Sequence, residues 1–306
     1  CYADVFINTI KFSLFSIRAC ALDDLTKLNI TVLQAYTLYR SYQEWYENFD
    51  GMSAVEVAYS VSLPEFDGII HSCPVTTMER DAEGKQVTQE IAERMNMLVR
   101  KAKKLALLRI KPNAEKKIAV VFHNHPSTNS NIGSCSAIDS IESVRLLLQD
   151  LRDAGYVVDH IPADRQEFID ELIAGATNDR DYMSEKQIDN VDAKLLVSAY
   201  RDYYKTLPEK VQQRLEQDWG EEPGEVFFYD DFLLIPGTMN GNIFITMQPP
   251  RGFGENPDKI YHSPDCAPTH HYIGFYHWLR DIWGADAMMH IGTHGSLEWL
   301  PGKGVA

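Results

Sequence analysis

Residues 118–161 have the sequence IAVVFHNHPSTNSNIGSCSAIDSIESVRLLLQDLRDAGYVVDHI, and the predicted architecture follows from this stretch. Ile118 to Phe122 is a continuous β-branched and apolar run, which predicts a buried strand of a parallel sheet. Ser134 to Ala154 carries apolar residues at helical spacing and is closed by Gly155, which predicts an amphipathic helix. Tyr156 to Ile161 is predicted to be the next strand, so the stretch forms a βαβ unit with a right-handed crossover.

A second α/β unit is predicted before this one. Ile30 to Leu38 and Asp67 to His71 have the composition of strands, and Val87 to Arg109 is predicted to be a long helix with a cationic outer face. This order of elements indicates the trailing part of an α/β domain. Lys111 to Lys117, which contains a proline and an asparagine, is the predicted joint between the two domains.

The chain after the βαβ unit extends the second domain. Residues 164–222 are polar and helical, and they are predicted to be a helical insertion. Two strands, a helix and a last buried strand follow: Val226–Leu234, Asn242–Met247, Pro268–Trp283 and Ala287–Met289. The predicted fold class is therefore α/β, a Rossmann-like, mainly parallel sheet with a helical insertion over residues 113–306, preceded by part of another α/β domain over residues 1–112.

The candidate chemistry follows the last predicted strand, in the sequence HIGTHGSLEWLPGKGVA from His290. Polar groups just beyond the end of an α/β strand are where such folds bind ligands. Two imidazoles and a carboxylate within nine residues supply metal ligands and proton acceptors together. The polar side chains are His290, Thr293, His294, Ser296, Glu298 and Lys303. One histidine at a strand end is usually structural, but a structural role does not explain why both histidines and the glutamate crowd a glycine turn.

The loop between the first strand and helix of the βαβ unit is a second candidate site. Helix N-termini leave amide donors free and carry partial positive charge, so they bind carboxylates well. The loop runs from His123 to Ser134, and Asn131 and Ser134 add neutral donors to it. An ordinary polar loop with a helix cap is the alternative interpretation.

Two more histidines, His270 and His271, begin the last predicted helix. The helix dipole disfavours a protonated imidazole in the first turn. The neutral imidazole that remains is the form that binds a metal.

Composition limits the class of partner. The net charge of −15 argues against nucleic acid and against an anionic membrane, because both require a basic surface. No apolar run approaches the ~20 residues that span a bilayer. The five cysteines include no CxxC pair, which favours a reducing cytoplasm. The chain begins at Cys1 and stops directly after its richest motif, so we expect it to be a fragment of a longer protein.

The motif HIGTHGSLEWLPGK from His290 closely resembles the signature of the large subunit of the ATP-dependent tetrapyrrole metal chelatases. That family joins the cobaltochelatase CobN subunit of cobalamin biosynthesis to the H subunit of magnesium chelatase. Two more stretches resemble it in the same order, KKIAVVFHNHPSTNSNIGSCSAIDSIESVRLLLQDLRDAGY from Lys116 and APTHHYIGFYHWLRDIWGADA from Ala267. With a looser match from Glu65 to Arg109, the resemblance covers most of the chain.

The resemblance implies that the chain binds the macrocycle in an enzyme that forms nitrogen–metal bonds. ATP would be hydrolysed by partner AAA+ subunits, of the CobS/CobT type or of the magnesium chelatase I/D type. The implied metal ligands are His290, His294, His270 and His271, and the implied catalytic residues are Glu298, as proton acceptor, and His294. The implied contacts to the tetrapyrrole are His123, Asn131, Ser134, Thr293, Ser296 and Lys303.

Cobalt is the expected metal substrate, because imidazole-rich sites favour later transition metals and magnesium prefers oxygen. The reaction would insert Co²⁺ into a corrin precursor, hydrogenobyrinic acid a,c-diamide. The alternative is a magnesium chelatase H-type subunit acting on protoporphyrin IX. The motif is mixed, since Glu298 to Pro301 resembles the cobalt branch whereas Thr293 and Ser296 resemble the magnesium branch. A non-catalytic tetrapyrrole-binding module and an unrelated metallohydrolase are alternatives from other classes.

Overall fold

The structure is a computed structural model, and it describes residues 3–17, 21–189, 191–252, 260, 263–293 and 296–305. The side chains at positions 15, 17, 21, 22, 296 and 298 lie outside this description. The contacts between Cα atoms divide the chain into two units, residues 1–110 with 302–306 and residues 111–301. The domain boundary between residues 112 and 113 stays a prediction.

The first unit contains a four-stranded sheet with the order β1-β2-β3-β4. The strands are β1 (Val5–Asn8), β2 (Thr31–Thr37), β3 (His71–Arg80) and β4 (Gln86–Glu90). β1, β2 and β3 are parallel, and β4 is antiparallel to β3. The sequence predicted a strand that ends at His71, whereas β3 begins there. It also predicted a helix from Val87, but residues 86–90 pair with β3 instead.

Helices cover this first sheet. They are α1 (Leu14–Ile17), α2 (Ala21–Leu28), α3 (Tyr42–Glu47), α4 (Ala54–Val57), α5 (Leu63–Glu65) and α6 (Ala92–Ile110). Leu98 of α6 packs against Leu33, Cys73 and Val75 of the sheet. α3 and α4 each begin at a capping box, in which a serine and a glutamate satisfy each other's free amides. This unit is the predicted α/β domain that precedes the Rossmann-like sheet.

The second unit is built on a sheet with the order β11-β5-β10-β9. Its strands are β5 (Ile118–Phe122), β9 (Thr238–Asn240), β10 (Ile243–Met247) and β11 (Ala287–Ile291). β5 pairs in parallel with β10 on one side and with β11 on the other, and β9 is a short antiparallel edge strand. All five residues of β5 and of β10 are buried, as expected for parallel strands that are covered on both faces.

The two faces of this sheet pack against different helices. Ile118, Val120 and Phe122 face α7 (Ser140–Asp153) and α8 (Arg165–Ala174). Ala119, Val121 and Phe244 lie in the core formed with a helix that follows β10, α12 (His270–His277). The sheet is therefore doubly wound, which confirms the predicted Rossmann-like α/β class.

The predicted insertion over residues 164–222 is mainly helical. Besides α8 it contains α9 (Glu185–Asp189), α10 (Val197–Tyr204) and α11 (Glu209–Trp219). It also contributes β6 (Ala193–Leu196), which pairs with β8 (Phe232–Ile235), and β8 pairs with β7 (Phe228–Tyr229). Tyr200 and Leu215 of this insertion are buried in the core that contains α12.

Three further local predictions are wrong, and each has a physical reason. Residues 156–161 are not a strand, because they meet the β9–β10 turn only through separate hydrogen bonds such as Asn242 N to Val157 O, at 2.9 Å. α7 begins at Ser140 and not at Ser134, because Ala137 takes a left-handed φ of 64° and Asp139 caps the helix. β11 is not buried: Met288 is 45% and Met289 is 40% exposed, since β11 is an edge strand among the described residues.

Candidate ligand site at the carboxyl edge of the second sheet

The topology of the second sheet creates a crevice between β5 and β10. The chain leaves β5 toward α7 on one face and leaves β10 toward α12 on the opposite face. Two neighbouring parallel strands whose helices lie on opposite faces define a switch point, and open α/β sheets bind ligands at its carboxyl edge. β11 ends at the same edge, since His290 and Ile291 are the register partners of Val121 and Phe122.

A buried amide network joins the loops that leave β5 and β10. Asn178 Nδ2 donates to Asn124 Oδ1 at 3.0 Å and to the Gln248 carbonyl at 2.8 Å. Asn124 Nδ2 in turn donates to the Thr128 carbonyl at 2.9 Å. All three amide residues that take part, Asn124, Asn178 and Gln248, are buried. This network fixes the floor of the crevice, and it was not predicted from the sequence because Asn178 lies in the insertion.

The loop after β5 is folded back on itself. Asn124 forms an antiparallel bridge with Ile132, and Gly133 N donates to the His123 carbonyl at 2.8 Å. Gly133 has φ +69°, and a Cβ there would collide with Ser140 Oγ. Asn131 Nδ2 donates to Thr128 Oγ1 at 2.7 Å, so this predicted ligand donor is used within the loop. His123 is half-buried at the root of the loop, and Ser134 is exposed.

The predicted carboxylate site at the N-terminus of α7 is occupied by the protein itself. Asp139 is the N-cap, and its carboxylate accepts from Glu142 N at 3.2 Å. Glu142 in the first turn adds a second negative charge beside it. The arrangement favours the helix-cap alternative over anion binding at this terminus.

The turn after β11 is tied to the loop after β5 by Thr293. The Ser136 amide donates to Thr293 Oγ1 at 3.0 Å, and Cys135 Sγ lies 3.4 Å from the same oxygen. Closer to the strands, His123 N donates to the Ile291 carbonyl at 2.8 Å. The structure therefore brings His123 and Thr293, which lie on separate predicted motifs, to neighbouring loops.

His290 faces the α12 side of the crevice. Its Nε2 lies 3.4 Å from the hydroxyl of Tyr276, and Gln248 Nε2 donates to that hydroxyl at 3.1 Å. Desolvation of the ring lowers the pKa of His290, although the residue lies on an exposed edge strand. The imidazole is accordingly neutral at pH 7 and suited to bind a metal. Tyr276 and Gln248 are additional polar groups of the crevice.

His270 is engaged by the protein through both ring nitrogens. Nε2 lies 2.9 Å from the Gly220 carbonyl, which can only accept, so Nε2 carries the proton. Nδ1 then accepts from the Tyr200 hydroxyl at 2.8 Å. The ring is buried, and burial lowers the pKa of His270. This geometry favours a structural role for His270 over the metal-ligand role that was predicted.

His271 is also held in the interior. Its Nε2 donates to the Leu234 carbonyl at 2.8 Å, and only 1% of the residue is exposed. Burial lowers the pKa of His271 to about 4. The side chain therefore fastens α12 to β8, and the structure favours this role over metal binding for His271 as well.

The burial of His271 predicts that the protein becomes less stable as the pH is lowered. Its folded pKa of about 4 lies below the ordinary value of 6.5, so the unfolded chain binds the proton more tightly. The contribution of neutral His271 to the free energy of unfolding is complete above pH 6.5. It falls by about 3 kcal/mol as the pH approaches 4, because a tenfold difference in proton affinity corresponds to about 1.4 kcal/mol. Urea unfolding at pH 7 and pH 5 measures about 2 kcal/mol of this loss. The variant His271→Gln retains a donor for Leu234 and should lose less stability between the two pH values; an equal loss would contradict the assignment.

The remainder of the HIGTHGSLEW motif is described in part. His294 lies outside the described residues, and so do the side chains of Ser296 and Glu298. The backbone of Ser296–Trp299 is a 3₁₀ turn, and Arg251 Nη1 donates to the Trp299 carbonyl at 2.6 Å. Arg251 is 1% exposed, and Nη2 also donates to the carbonyls of Ser263 and Cys266 at 3.1 and 2.8 Å. Arg251 was not predicted to be a site residue, and it anchors the turn that carries Glu298.

Lys303 belongs to the first unit and is not grouped with the rest of the motif. Its Nζ donates to the backbone carbonyls of Tyr46 and Asn48, at 3.1 and 2.9 Å, and to that of Trp45. The predicted contact of Lys303 with a tetrapyrrole stays a prediction.

Within the described part of the chain, no helix is both long and apolar enough to cross a bilayer.

The fold and the crevice define a class of protein. A doubly wound parallel sheet with polar loops from three strands converging at its carboxyl edge belongs to the ligand-binding α/β proteins of Rossmann-like type.

Comparison with known proteins identifies the family. The family model of CobN/Magnesium Chelatase matches residues 1–306. The uncharacterised protein MJ0908 of Methanocaldococcus jannaschii is 41% identical over 97% of this chain and 25% of its own length. The aerobic cobaltochelatase subunit CobN of Pseudomonas aeruginosa is 33% identical over 99% of this chain and 24% of its own length. The solved catalytic subunit of cobaltochelatase from Mycobacterium tuberculosis superposes with a TM-score of 0.83 at 34% identity, over 98% of this chain and 26% of that one.

The chain belongs to the CobN/magnesium chelatase family. It spans about a quarter of the length of these relatives.

Proposed function

We propose that the chain is part of the tetrapyrrole-binding large subunit of an ATP-dependent metal chelatase, and that the carboxyl edge of its second sheet binds the macrocycle. The observation that carries the proposal is the convergence of three loops at this edge. The loops follow β5, β10 and β11, and they are joined by the Asn178 amide and by Thr293. Membership of the family supplies the class of ligand.

Insertion of a metal into a tetrapyrrole requires a proton acceptor, a weak metal ligand and a surface that holds the ring. In this proposal Glu298 accepts protons from the ring nitrogens, and His290 and His294 bind the metal substrate on its way to the ring. The lowered pKa of His290 supports its role as a metal ligand, because the neutral imidazole is the form that binds a metal. Thr293, Ser296, His123, Asn131 and Ser134 are the proposed contacts to the macrocycle, and His270 and His271 have no part in the proposal.

Cobalt is the proposed metal and a corrin precursor the proposed ring. Imidazole ligands favour later transition metals over magnesium. The CobN subunit and the solved cobaltochelatase subunit match 99% and 98% of the chain, and magnesium chelatase H subunits match 92–98% of it, so the choice of cobalt rests on the imidazole ligands. ATP hydrolysis by separate AAA+ subunits and a cytoplasmic setting belong to the same proposal. The free thiols of Cys73, Cys135 and Cys266 agree with a reducing compartment.

The proposal is tested by an insertion assay with the full-length protein and its AAA+ subunits. Each metal, Co²⁺ or Mg²⁺, is offered with each ring, hydrogenobyrinic acid a,c-diamide or protoporphyrin IX, in the presence of ATP. We expect cobalt to enter the corrin. Insertion of magnesium into protoporphyrin would instead place the chain in the magnesium branch, and tetrapyrrole binding without insertion of either metal would indicate a passive binding module.

The contact made by Thr293 predicts an effect on ring binding. Thr293→Val keeps the shape of the side chain but removes the acceptor for Ser136 N, so the loops after β5 and β11 lose their link. A hydrogen bond of about 0.5–1.5 kcal/mol corresponds to a loss of tetrapyrrole affinity of up to about tenfold. Fluorescence titration of the full-length protein measures it, with Thr206→Val on the surface as the matched control. Equal affinity of the two variants would remove this link from the site.

A further inference from the structure

Three side chains with the chemistry of metal ligands lie together in the second unit. They are His160, Glu167 and Glu171, and the nearest ligand atom of each lies within 4.8 Å of the others. No other group of three or more such side chains is found in the described part of the chain. His160 Nε2 and Glu171 Oε1 are 2.8 Å apart.

The backbone fixes the positions from which these side chains project. The side chain of Asn240 binds the backbone of His160 twice, accepting from its N–H at 2.9 Å and donating to its carbonyl at 2.7 Å. Glu167 and Glu171 are four residues apart on α8 and therefore lie on the same face of the helix. Phe168 and Leu172 are buried in the core against β5, which fixes the rotation of α8 about its axis.

The set of ligand atoms has the chemistry of a transition-metal site. Glu167 Oε2 accepts from Ala163 N, which orients this carboxylate and leaves its other oxygen for a ligand. One imidazole and two carboxylates make a mixed nitrogen and oxygen set, which suits Zn²⁺, Co²⁺ or Ni²⁺ better than Mg²⁺. A divalent ion neutralises both carboxylates, and three protein ligands leave positions open for water.

The cluster is separate from the crevice. Asn240, which holds His160, is the register partner of Ile243, the first residue of β10. The cluster therefore lies near the amino end of β10, whereas the crevice lies at the carboxyl end. Four steps along a strand separate these ends by about 13 Å.

We propose that His160, Glu167 and Glu171 form a binding site for a divalent transition-metal ion, distinct from the site of metal insertion. The site is exposed at His160 and Glu167, so the ion exchanges readily with solvent. The proposal does not depend on the proposed function, because it rests only on residues at the opposite edge of the sheet.

The test is calorimetric titration of the full chain with Zn²⁺ alone, in the His290→Ala/His294→Ala background, which removes both imidazole ligands proposed for the crevice. We expect one zinc ion to bind, and His160→Ala or Glu171→Gln to weaken this binding at least about ten- to hundredfold, the loss seen when even an outer-sphere partner is removed. Asp170→Asn is the matched control, because it removes one negative charge from the same helix outside the cluster, and it should bind zinc as the background does.

His160→Ala should remain folded, since Asn240 binds only the backbone of His160, and circular dichroism verifies this. Two results would overturn the proposal. One is the absence of zinc binding in the background protein, which would show that His160 and Glu171 only contact each other. The other is zinc binding that is unaffected by both His160→Ala and Glu171→Gln.

Discussion

Glu298→Gln is expected to lower the rate of metal insertion by about a hundred- to ten-thousandfold, the usual contribution of a positioned general base. Glutamine preserves the size and hydrogen bonding of the side chain but cannot accept a proton from a ring nitrogen. Affinity for the tetrapyrrole should therefore stay at the wild-type value. The insertion assay and a binding titration, both on the full-length protein with its AAA+ subunits, measure the two quantities separately.

The matched control for this variant is Glu115→Gln, which makes the same change at an exposed position of the same unit. Its insertion rate should equal that of the wild type. Two results would contradict the assignment of Glu298. Wild-type insertion by Glu298→Gln would show that another group accepts the proton, and loss of tetrapyrrole binding would show that Glu298 holds the ring.

Arg251→Lys is expected to lower the insertion rate about a hundredfold, although Arg251 is not proposed to touch the substrate. The guanidinium donates to three carbonyls, and one of these belongs to Trp299 in the turn that carries Glu298. Lysine keeps the charge, but its donors all lie on one nitrogen, so it cannot donate to all three carbonyls. The turn is then free to shift, and a displacement of about 1 Å in a catalytic constellation costs about a hundredfold.

Arg251 is a positioning residue in this account, and a double variant distinguishes this role from a general loss of stability. If Arg251 acts by placing Glu298, then Arg251→Lys combined with Glu298→Gln should be little slower than Glu298→Gln alone. The positioning role would be contradicted if the double variant were slower than Glu298→Gln by the full factor that Arg251→Lys costs on its own. The control is Arg201→Lys, an exposed arginine paired with Glu222, which should insert metal at the wild-type rate.

The sequence predicted the central strands well because their composition leaves few alternatives. The run of β-branched and apolar residues in β5 is compatible only with burial on both faces, and the structure buries all five residues. The exposed β11 begins with an apolar run, Ala287 to Met289, and periodicity does not distinguish an edge strand from a central one over so few residues. Residues 156–161 were predicted to be a strand from their apolar composition, but they form only separate hydrogen bonds with the β9–β10 turn, which composition does not reveal.

The candidate site was predicted in part, and its limits follow from contacts between distant residues. The motif after β11 and the loop after β5 were both singled out, and Thr293 joins them. The roles of His270 and His271 depend on Tyr200, Gly220 and Leu234, which are far away in the sequence. Two adjacent histidines at a helix start look alike whether they meet a metal or a carbonyl. Arg251 was missed because its partners are backbone carbonyls, which have no sequence signal.

The central claim is that the carboxyl edge of the second sheet binds the tetrapyrrole. Hydrogen–deuterium exchange of the full-length protein, with and without the ring, tests it most directly. We predict slower exchange in three segments, residues 123–134, 248–252 and 290–299, and unchanged exchange in residues 156–161, which lie at the opposite edge of the sheet. Protection confined to other segments, with these three unchanged at a saturating concentration of the ring, would contradict it.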